Sequence, residues 1–159
     1  MNILLLEDIE DYAKIIIESL EYKLPGVKIV HVVTEFEFRE RLPELLRYSF
    51  DVGIFDVMVN WCRIKADGEL ENDNPPPEVR AELEQNVKWR SGVRCRRLFT
   101  EALAQAGRRD VPCLYYTILE EGDMAEVRYD DLTPIIAKTG DMLPLVNGIL
   151  QVIAARPRA

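Results

Sequence analysis

Five polar residues stand at or near the end of an apolar run: Glu7 and Asp8 after "NILLL", Asp56 within "DVGIFDVMV", Thr117 closing "VPCLYYT" and Lys138 closing "TPIIAK". An unpaired carboxylate inside a core strand is costly, so Asp56 must reach a crevice, meet a cation or lose its charge. Alone it reads first as the cap of the following turn. Three carboxylates within a few ångströms of one another repel, and at neutral pH such a cluster is stable only with a cation. All-oxygen ligands on a rigid rim, open on one side to water and phosphate, suit Mg²⁺. An ammonium and a hydroxyl facing the metal can hold two oxygens of a phosphoryl group.

These residues converge only if the elements carrying them do. Residues 2–6 read as a buried strand, after which Ile9, Tyr12, Ala13, Ile16, Ile17 and Leu20 recur at helical spacing. A second strand is expected at 27–33 and a second helix on Phe38, Leu42, Leu45 and Leu46. The strand holding Asp56 follows. A helix with Val93, Leu98, Phe99, Ala102, Leu103 and Ala106 on one face stops at Gly107, and a fourth strand spans 111–117. The fifth strand, 133–138, leads into a helix faced by Met142, Leu145, Val146, Ile149, Leu150 and Ile153. Alternating strands and helices make an α/β fold with a parallel sheet covered on both sides, because right-handed crossovers are nearly obligatory. Ligands in such sheets lie beyond the carboxyl ends of the strands. In the flavodoxin-like order 2-1-3-4-5 strands one and three are neighbours, so Glu7, Asp8 and Asp56 meet in one crevice flanked by Thr117 and Lys138.

Composition narrows the classes. At 159 residues and 48% apolar, the chain suits one domain with its own core. A net charge of -8 disfavours a nucleic-acid partner, since phosphate backbones are bound by clustered Lys and Arg. Cys62, Cys95 and Cys113 lack metal-type spacing and read as free thiols in a reducing cytosol, and the only histidine is His31. The N-terminal apolar run is cut short by Glu7 and Asp8, too early for a signal peptide, and no later stretch is long enough to span a bilayer. A cytoplasmic protein is expected.

The stretches "NILLLEDIEDYAKIIIESL", "DVGIFDVMV", "YYT" and "AKTGD" resemble the receiver domain of bacterial response regulators, the phosphoacceptor module of two-component signal transduction. The resemblance implies a (βα)5 three-layer sandwich with Asp56 as phosphoacceptor. It implies that Glu7 and Asp8 are the metal-binding pair, Glu7 through a metal-bound water, and that the Met58 carbonyl completes an Mg²⁺ site. Thr117 and Lys138 resemble the switch hydroxyl and the phosphate-pairing amine. Asp8 to Asp56 (48 residues) and Thr117 to Lys138 (21) are close to the family spacing, whereas Asp56 to Thr117 (61) is too long.

The excess is an insertion at about 60–91, between the third strand and the third family helix. Asp67-Gly68 signals a tight turn there, and the prolines at 75–77 exclude a helix interior or central strand. From Glu78 on, Val79, Leu83 and Val87 recur at four-residue spacing, as in an extra helix. Because the insertion begins two residues after Met58, a lid or a docking element is expected, with Trp61 near the crevice mouth. The cations Lys88, Arg90, Arg94, Arg96 and Arg97 read as a solvated helix face paired with glutamates, or as a dock for an acidic partner. Three further departures from the family are Ile118 where a small residue usually leaves the phosphate accessible, Ile135 at an often aromatic position, and Thr139 in place of a proline that normally follows a cis peptide. The segment 118–132 offers only Met124, Val127 and Leu132 as anchors, so its helix should be short.

The function implied is a stand-alone switch rather than an enzyme. It takes a phosphoryl group from a phosphohistidine on a sensor histidine kinase or phosphotransfer protein, and signals through a downstream protein contact, a relay or homodimerisation. The alternative is a pseudo-receiver, an interaction module that is not phosphorylated. A haloacid-dehalogenase-type phosphohydrolase would need a second Asp at the position of Met58. A flavodoxin would need a phosphate loop free of the acids in "EDIED".

Overall fold

The computed structural model describes residues 1–65, 68–72, 74–85, 90–119, 122–123 and 133–155. Five strands, β1 (Asn2–Leu6), β2 (Lys28–Val32), β3 (Val52–Phe55), β4 (Cys113–Thr117) and β5 (Ile135–Ala137), form one sheet in the order β2-β1-β3-β4-β5. Every pairing is parallel, with Leu6 opposite Val32 and Phe55, and Thr117 opposite Ala137. The expected 2-1-3-4-5 order is therefore the observed one.

Alternation along the strands separates two cores. Leu4, Leu6, Phe55, Cys113 and Tyr115 face helices α2 (Glu35–Leu45) and α4 (Ser91–Gln105), meeting Phe38, Leu45, Val93, Phe99 and Leu103. Ile3, Leu5, Val52, Ile54, Leu114 and Tyr116 face α1 (Glu10–Lys23) and α5 (Leu143–Ala154), meeting Ile16, Leu20, Leu145 and Ile149. Ile3 to Leu6 are all buried, each worth about 1.5–3 kcal/mol of apolar transfer, which is why an uninterrupted apolar run reads as a central strand. The apolar stripes are narrower than the sequence suggests. Ile9 and Tyr12 of the α1 stripe and Leu150 of the α5 stripe are exposed.

The strand expected over 51–59 contracts to Val52–Phe55, so Asp56 is the first residue beyond it, although Val57 and Val59 remain buried in the core. Between Asp56 and α4 the chain makes a small antiparallel hairpin in which Ile64 pairs with Leu70, and Gly68 takes the positive φ (86°) that the turn requires. Its turn partner Asp67 lies outside the described residues. Helix α3 (Pro77–Glu84) then starts on a proline, as a first helical turn permits, and is shorter than expected; Val87 lies outside the described residues.

This segment packs on the start of α2. Trp61, Cys62 and Val79 bury one another against Phe36, and the Trp61 ring lies 5.7 Å from the Phe36 ring with the Arg39 guanidinium 5.8 Å from its centre. The Trp61 indole N–H donates to the Asn72 carbonyl. Trp61 is thus built into the segment's own core rather than exposed at the crevice mouth. Beneath it the first amides of α2 donate into the segment, Glu35 to the Asn60 carbonyl and Phe36 to the Trp61 carbonyl. Thr34 and Glu37 close the cap, with Thr34 Oγ1 accepting from the Glu37 amide and Glu37 accepting from the Val33 amide.

Glu35, fully buried, binds the segment to α4. Its carboxylate accepts from Arg39 and from Arg94, whose nearest contact is 2.6 Å, and Arg94 also pairs with Glu82 of α3. Burial opposes the charge on Arg94, but Glu35 and Glu82 together raise its pKa. Farther along the basic run Arg96 pairs with Asp110, and Arg97 pairs with Glu101 on the exposed face of α4, as expected of a solvated face paired with glutamates. Lys88 lies outside the described residues. The three cysteines are free and buried.

Candidate functional site

Ladder hydrogen bonds carry the site residues to one edge. The Asp56 amide donates to the Leu6 carbonyl, the Glu7 amide to Val32 and the Lys138 amide to Thr117, so each side chain emerges where its strand ends. Carboxylate oxygens of Glu7, Asp8 and Asp56 lie within 4.8 Å of one another. Lys138 Nζ, its side chain 5% exposed, bridges Glu7 Oε2 and Asp56 Oδ2 at 2.6 Å each. The ammonium also sits 5.2 Å from the Tyr12 ring centre and 6.0 Å from that of Tyr116. The Glu7, Asp8, Asp56 and Lys138 side chains are thus brought together as the sequence suggests.

Three of the four remaining carboxylate oxygens are held by nearby backbone and side chains. Asp56 Oδ1 accepts from the Met58 amide and Glu7 Oε1 from the Ile9 amide. Asp8 Oδ2 accepts from both the backbone amide (3.0 Å) and the side-chain amide (2.5 Å) of Asn60. Asp8 Oδ1 is buried with no hydrogen-bond partner among the described residues. His31 Nε2–H donates to the Glu7 carbonyl at 2.8 Å and braces the turn after β1 from the neighbouring strand.

Electrostatics follow from this crowding. Burial raises the Glu7 pKa, Lys138 offsets part of the rise, and Asp56 adds repulsion. Burial likewise raises Asp8, against the opposing Asn60 amide. Burial alone would lower Lys138, but Asp56 and Glu7 override it and the ammonium is held charged. Three carboxylates against one ammonium leave two negative charges, the complement of a divalent cation. Together with the unpartnered Asp8 oxygen, this all-oxygen set fits a hard ion such as Mg²⁺.

Thr117 is fully buried at the end of β4, and its hydroxyl accepts from the Leu119 amide at 3.4 Å. Ile118 is 62% exposed. Ile135 is half-buried against the α2/α4 core. Thr139 donates its hydroxyl to the Asp141 carbonyl, and no peptide bond among the described residues is cis. Most of 118–132 lies outside the described residues.

Two site residues escape a reading by residue type. Asn60 is one, since nothing local in "VMVNW" shows that its donors reach a carboxylate 52 residues away. Gly92 is the other. It opens α4 directly on the peptide after Asp56, donating its amide to the Val57 carbonyl, and a Cβ there would lie 1.8 Å from the Asp56 carbonyl oxygen. The only sequence signal was a glycine placed within a helix start, where it costs stability unless close approach demands it.

No family model and no curated protein matches this chain. Solved structures do. A response regulator receiver protein from Sinorhizobium medicae is 17% identical with a TM-score of 0.64, the match covering 99% of this chain and 97% of that one. The signal receiver domain of a signal transduction histidine kinase from Syntrophus aciditrophicus is 19% identical with a TM-score of 0.64, over 99% and 93%. The chemotaxis protein CheY4 of Vibrio cholerae is 16% identical with a TM-score of 0.58, over 95% and 97%. At such identities the likeness carries the fold, and with its parallel β2-β1-β3-β4-β5 sheet this chain has the flavodoxin-like fold of response-regulator receiver domains.

Proposed function

We propose that this chain is a phosphoacceptor switch of a two-component or phosphorelay system, phosphorylated on Asp56. The observation that carries the reading is the Glu7–Asp8–Asp56 cluster, with Glu7 and Asp56 buried and tied to Lys138, at the carboxyl ends of the strands. Glu7, Asp8, Asp56 and the Met58 carbonyl would hold Mg²⁺. When bound, the ion supplies charge neutralisation for the phosphoryl oxygens.

The protein's own groups do the rest. An Asp56 carboxylate oxygen attacks phosphorus in line, and the phosphohistidine imidazole of a sensor kinase or phosphotransfer protein leaves. Lys138, already 2.6 Å from Asp56, turns its ammonium to the incoming phosphoryl oxygen and stays anchored by Glu7. The Thr117 hydroxyl gives up only a long 3.4 Å bond to reach a further phosphoryl oxygen. Because the Lys138 amide is bonded to the Thr117 carbonyl, this movement is felt in β5 and the adjoining face, where a downstream protein or a second copy would read it. The domain assists its own modification and turns over no substrate, so it is a switch rather than an enzyme.

The test is intact mass after incubation with a small acyl phosphate, with and without Mg²⁺. A gain of one phosphoryl group that requires Mg²⁺ and is lost in Asp56→Asn supports the reading. No gain under any condition favours the pseudo-receiver, an interaction module on the same fold.

A further inference from the structure

We propose that Asn60 is a positioning residue for the divalent cation, holding one oxygen of Asp8 so that the other is presented to the ion; this rests on the reading of Glu7, Asp8 and Asp56 as cation ligands. Two donors of Asn60, its backbone and side-chain amides, converge on the single oxygen Asp8 Oδ2. The second oxygen, Oδ1, is buried and unpartnered among the described residues. A carboxylate on a short side chain otherwise rotates freely between presenting either oxygen. Capping one with two donors removes that freedom and leaves one oriented lone-pair set. Outer partners of metal-ligating carboxylates act in this way, and their loss commonly weakens binding by about 10–100-fold.

A local capping role does not account for the contact, because Asp8 is 52 residues away in sequence and on another strand end. The partner is an acceptor, so the side-chain amide must present its NH₂ to Asp8. The donors are also fixed in space. The Asn60 carbonyl accepts from the Glu35 amide, and the next carbonyl, Trp61, accepts from Phe36 at 2.7 Å while the indole is buried against Phe36 and Val79. Asn60 therefore joins the metal edge to the start of α2 and to the packed segment that follows β3, and that packing sets how tightly Asp8 is oriented. A cleft of about 610 Å³ lined by Asp8, Glu10, His31, Thr34, Asn60 and Arg63 opens beside the pair. A proline at this position would donate nothing from its backbone.

The experiment titrates Mg²⁺ into the full chain by calorimetry for wild type, Asn60→Ala and Asn60→Ser, with thermal unfolding in EDTA alongside. Asn60→Ala keeps the backbone donor and loses the side-chain one, so its Mg²⁺ affinity should fall by about 10-fold. The unfolding midpoint in EDTA should stay near wild type, because Asn60 is exposed. Asn60→Ser, which retains a short donor, should recover part of the affinity. In phosphorylation by a small acyl phosphate, the half-saturating Mg²⁺ concentration should rise by the same factor, and the maximal rate should change far less. Equal affinity in Asn60→Ala and wild type would overturn the positioning role alone. A maximal rate that falls as much as the affinity, without rescue by serine, would also overturn it, since Asn60 would then act on the reacting atoms or on the fold. If wild type binds no Mg²⁺, the reading of the carboxylates falls and the positioning role falls with it.

Discussion

Gly92→Ala adds one methyl group and should do disproportionate damage. The new Cβ would lie 1.8 Å from the Asp56 carbonyl oxygen, 2.7 Å from its carbon and 2.9 Å from Val57 Cα, all of them backbone atoms. Carbon-to-oxygen contacts settle near 3.3 Å, so the start of α4 or the end of β3 must move by about 1.5 Å. Overpacking against a backbone that cannot rotate away belongs at the upper end of its usual range, about 3 kcal/mol. Separating the elements also weakens the Gly92 N–H to Val57 carbonyl bond, about 1 kcal/mol. Replacing glycine by alanine in a helix returns about 1 kcal/mol of propensity. The net loss is about 3 kcal/mol, or about 6–12 °C in the unfolding midpoint of a chain this size.

Denaturant unfolding of wild type, Gly92→Ala and Gly148→Ala measures it, with an unchanged slope marking a true change in stability. Gly148 is the control: it too is helical, but its Cβ would meet Ile136 Cδ1 at 3.0 Å and Cγ1 at 3.1 Å, the mobile end of a side chain. Gly148→Ala should cost less than about 1 kcal/mol. The displaced peptide in Gly92→Ala carries Asp56, and a misplacement of about 1 Å can cost on the order of 100-fold in rate, so phosphorylation should fall well beyond the unfolded fraction. Gly92→Ala as stable as wild type, or no worse than Gly148→Ala, would refute the close approach of α4 to the Asp56 peptide.

Asp56→Asn should abolish the Mg²⁺-dependent mass gain and, by removing one of three mutually repelling carboxylates, leave the metal-free protein folded with a midpoint no lower than wild type; retained phosphorylation would reassign the acceptor. Glu35→Gln leaves the partly buried Arg39 and Arg94 guanidiniums with only Glu78 and Glu82 opposite them and should cost about 2–3 kcal/mol in denaturant unfolding, whereas a change below about 1 kcal/mol would show that the network does not tie the segment after β3 to α2 and α4. The pKa values of Glu7 and Asp8 are raised on folding, so the folded state binds their protons more tightly than the unfolded chain does. Their stabilising contribution is full below the ordinary carboxylate range and is lost as pH rises through the raised values. In EDTA the midpoint of Asp8→Asn should therefore gain on wild type as pH is raised from about 4 to 7, and saturating Mg²⁺ should reverse the difference at pH 7. A difference that does not vary with pH would remove Asp8 from the coupled cluster.

The fold was legible because the three central strands, β1, β3 and β4, read as apolar runs, and the helices between the strands carry an apolar stripe at the right spacing. The site was legible for a related reason: in a parallel sheet the strand ends share one edge, so Glu7, Asp8, Asp56, Thr117 and Lys138 could be placed together without any contact being known. What escaped depends on contacts between residues far apart in sequence. Trp61 was expected at the crevice mouth because it follows Asp56 closely. It is instead buried, because Phe36 and Val79 offer it an apolar seat and Asn72 an acceptor. Among the cations of "VRCRRLF", the Arg97–Glu101 pair follows the four-residue spacing of a solvated helix face, but Arg94 is brought against Glu35 and Glu82 by helix packing that no linear pattern reveals.

That packing bears on how a switch at Asp56 would be heard. The peptide just after Asp56 is overlain by Gly92, and two residues along the same helix Arg94 is bonded to Glu35 at the start of α2 and to Glu82 in α3. On the other side of Asp56, Asn60 links Asp8 to the same α2 start through the Glu35 amide. A movement of the 56–60 loop on phosphorylation therefore reaches Glu35 by two routes, one through α4 and one through Asn60. Close-packed elements shift between discrete arrangements rather than deforming smoothly, so the two routes favour a concerted displacement of α2, α3 and the start of α4 over an isolated loop motion. The α2–α3 side would then carry signal alongside the β5 side reached by Thr117 and Lys138. Trp61, packed on Phe36 at that junction, reports which occurs: its emission should change on phosphorylation if α2, α3 and the start of α4 shift relative to the 56–60 loop that carries it, and stay constant if the signal leaves only through β5.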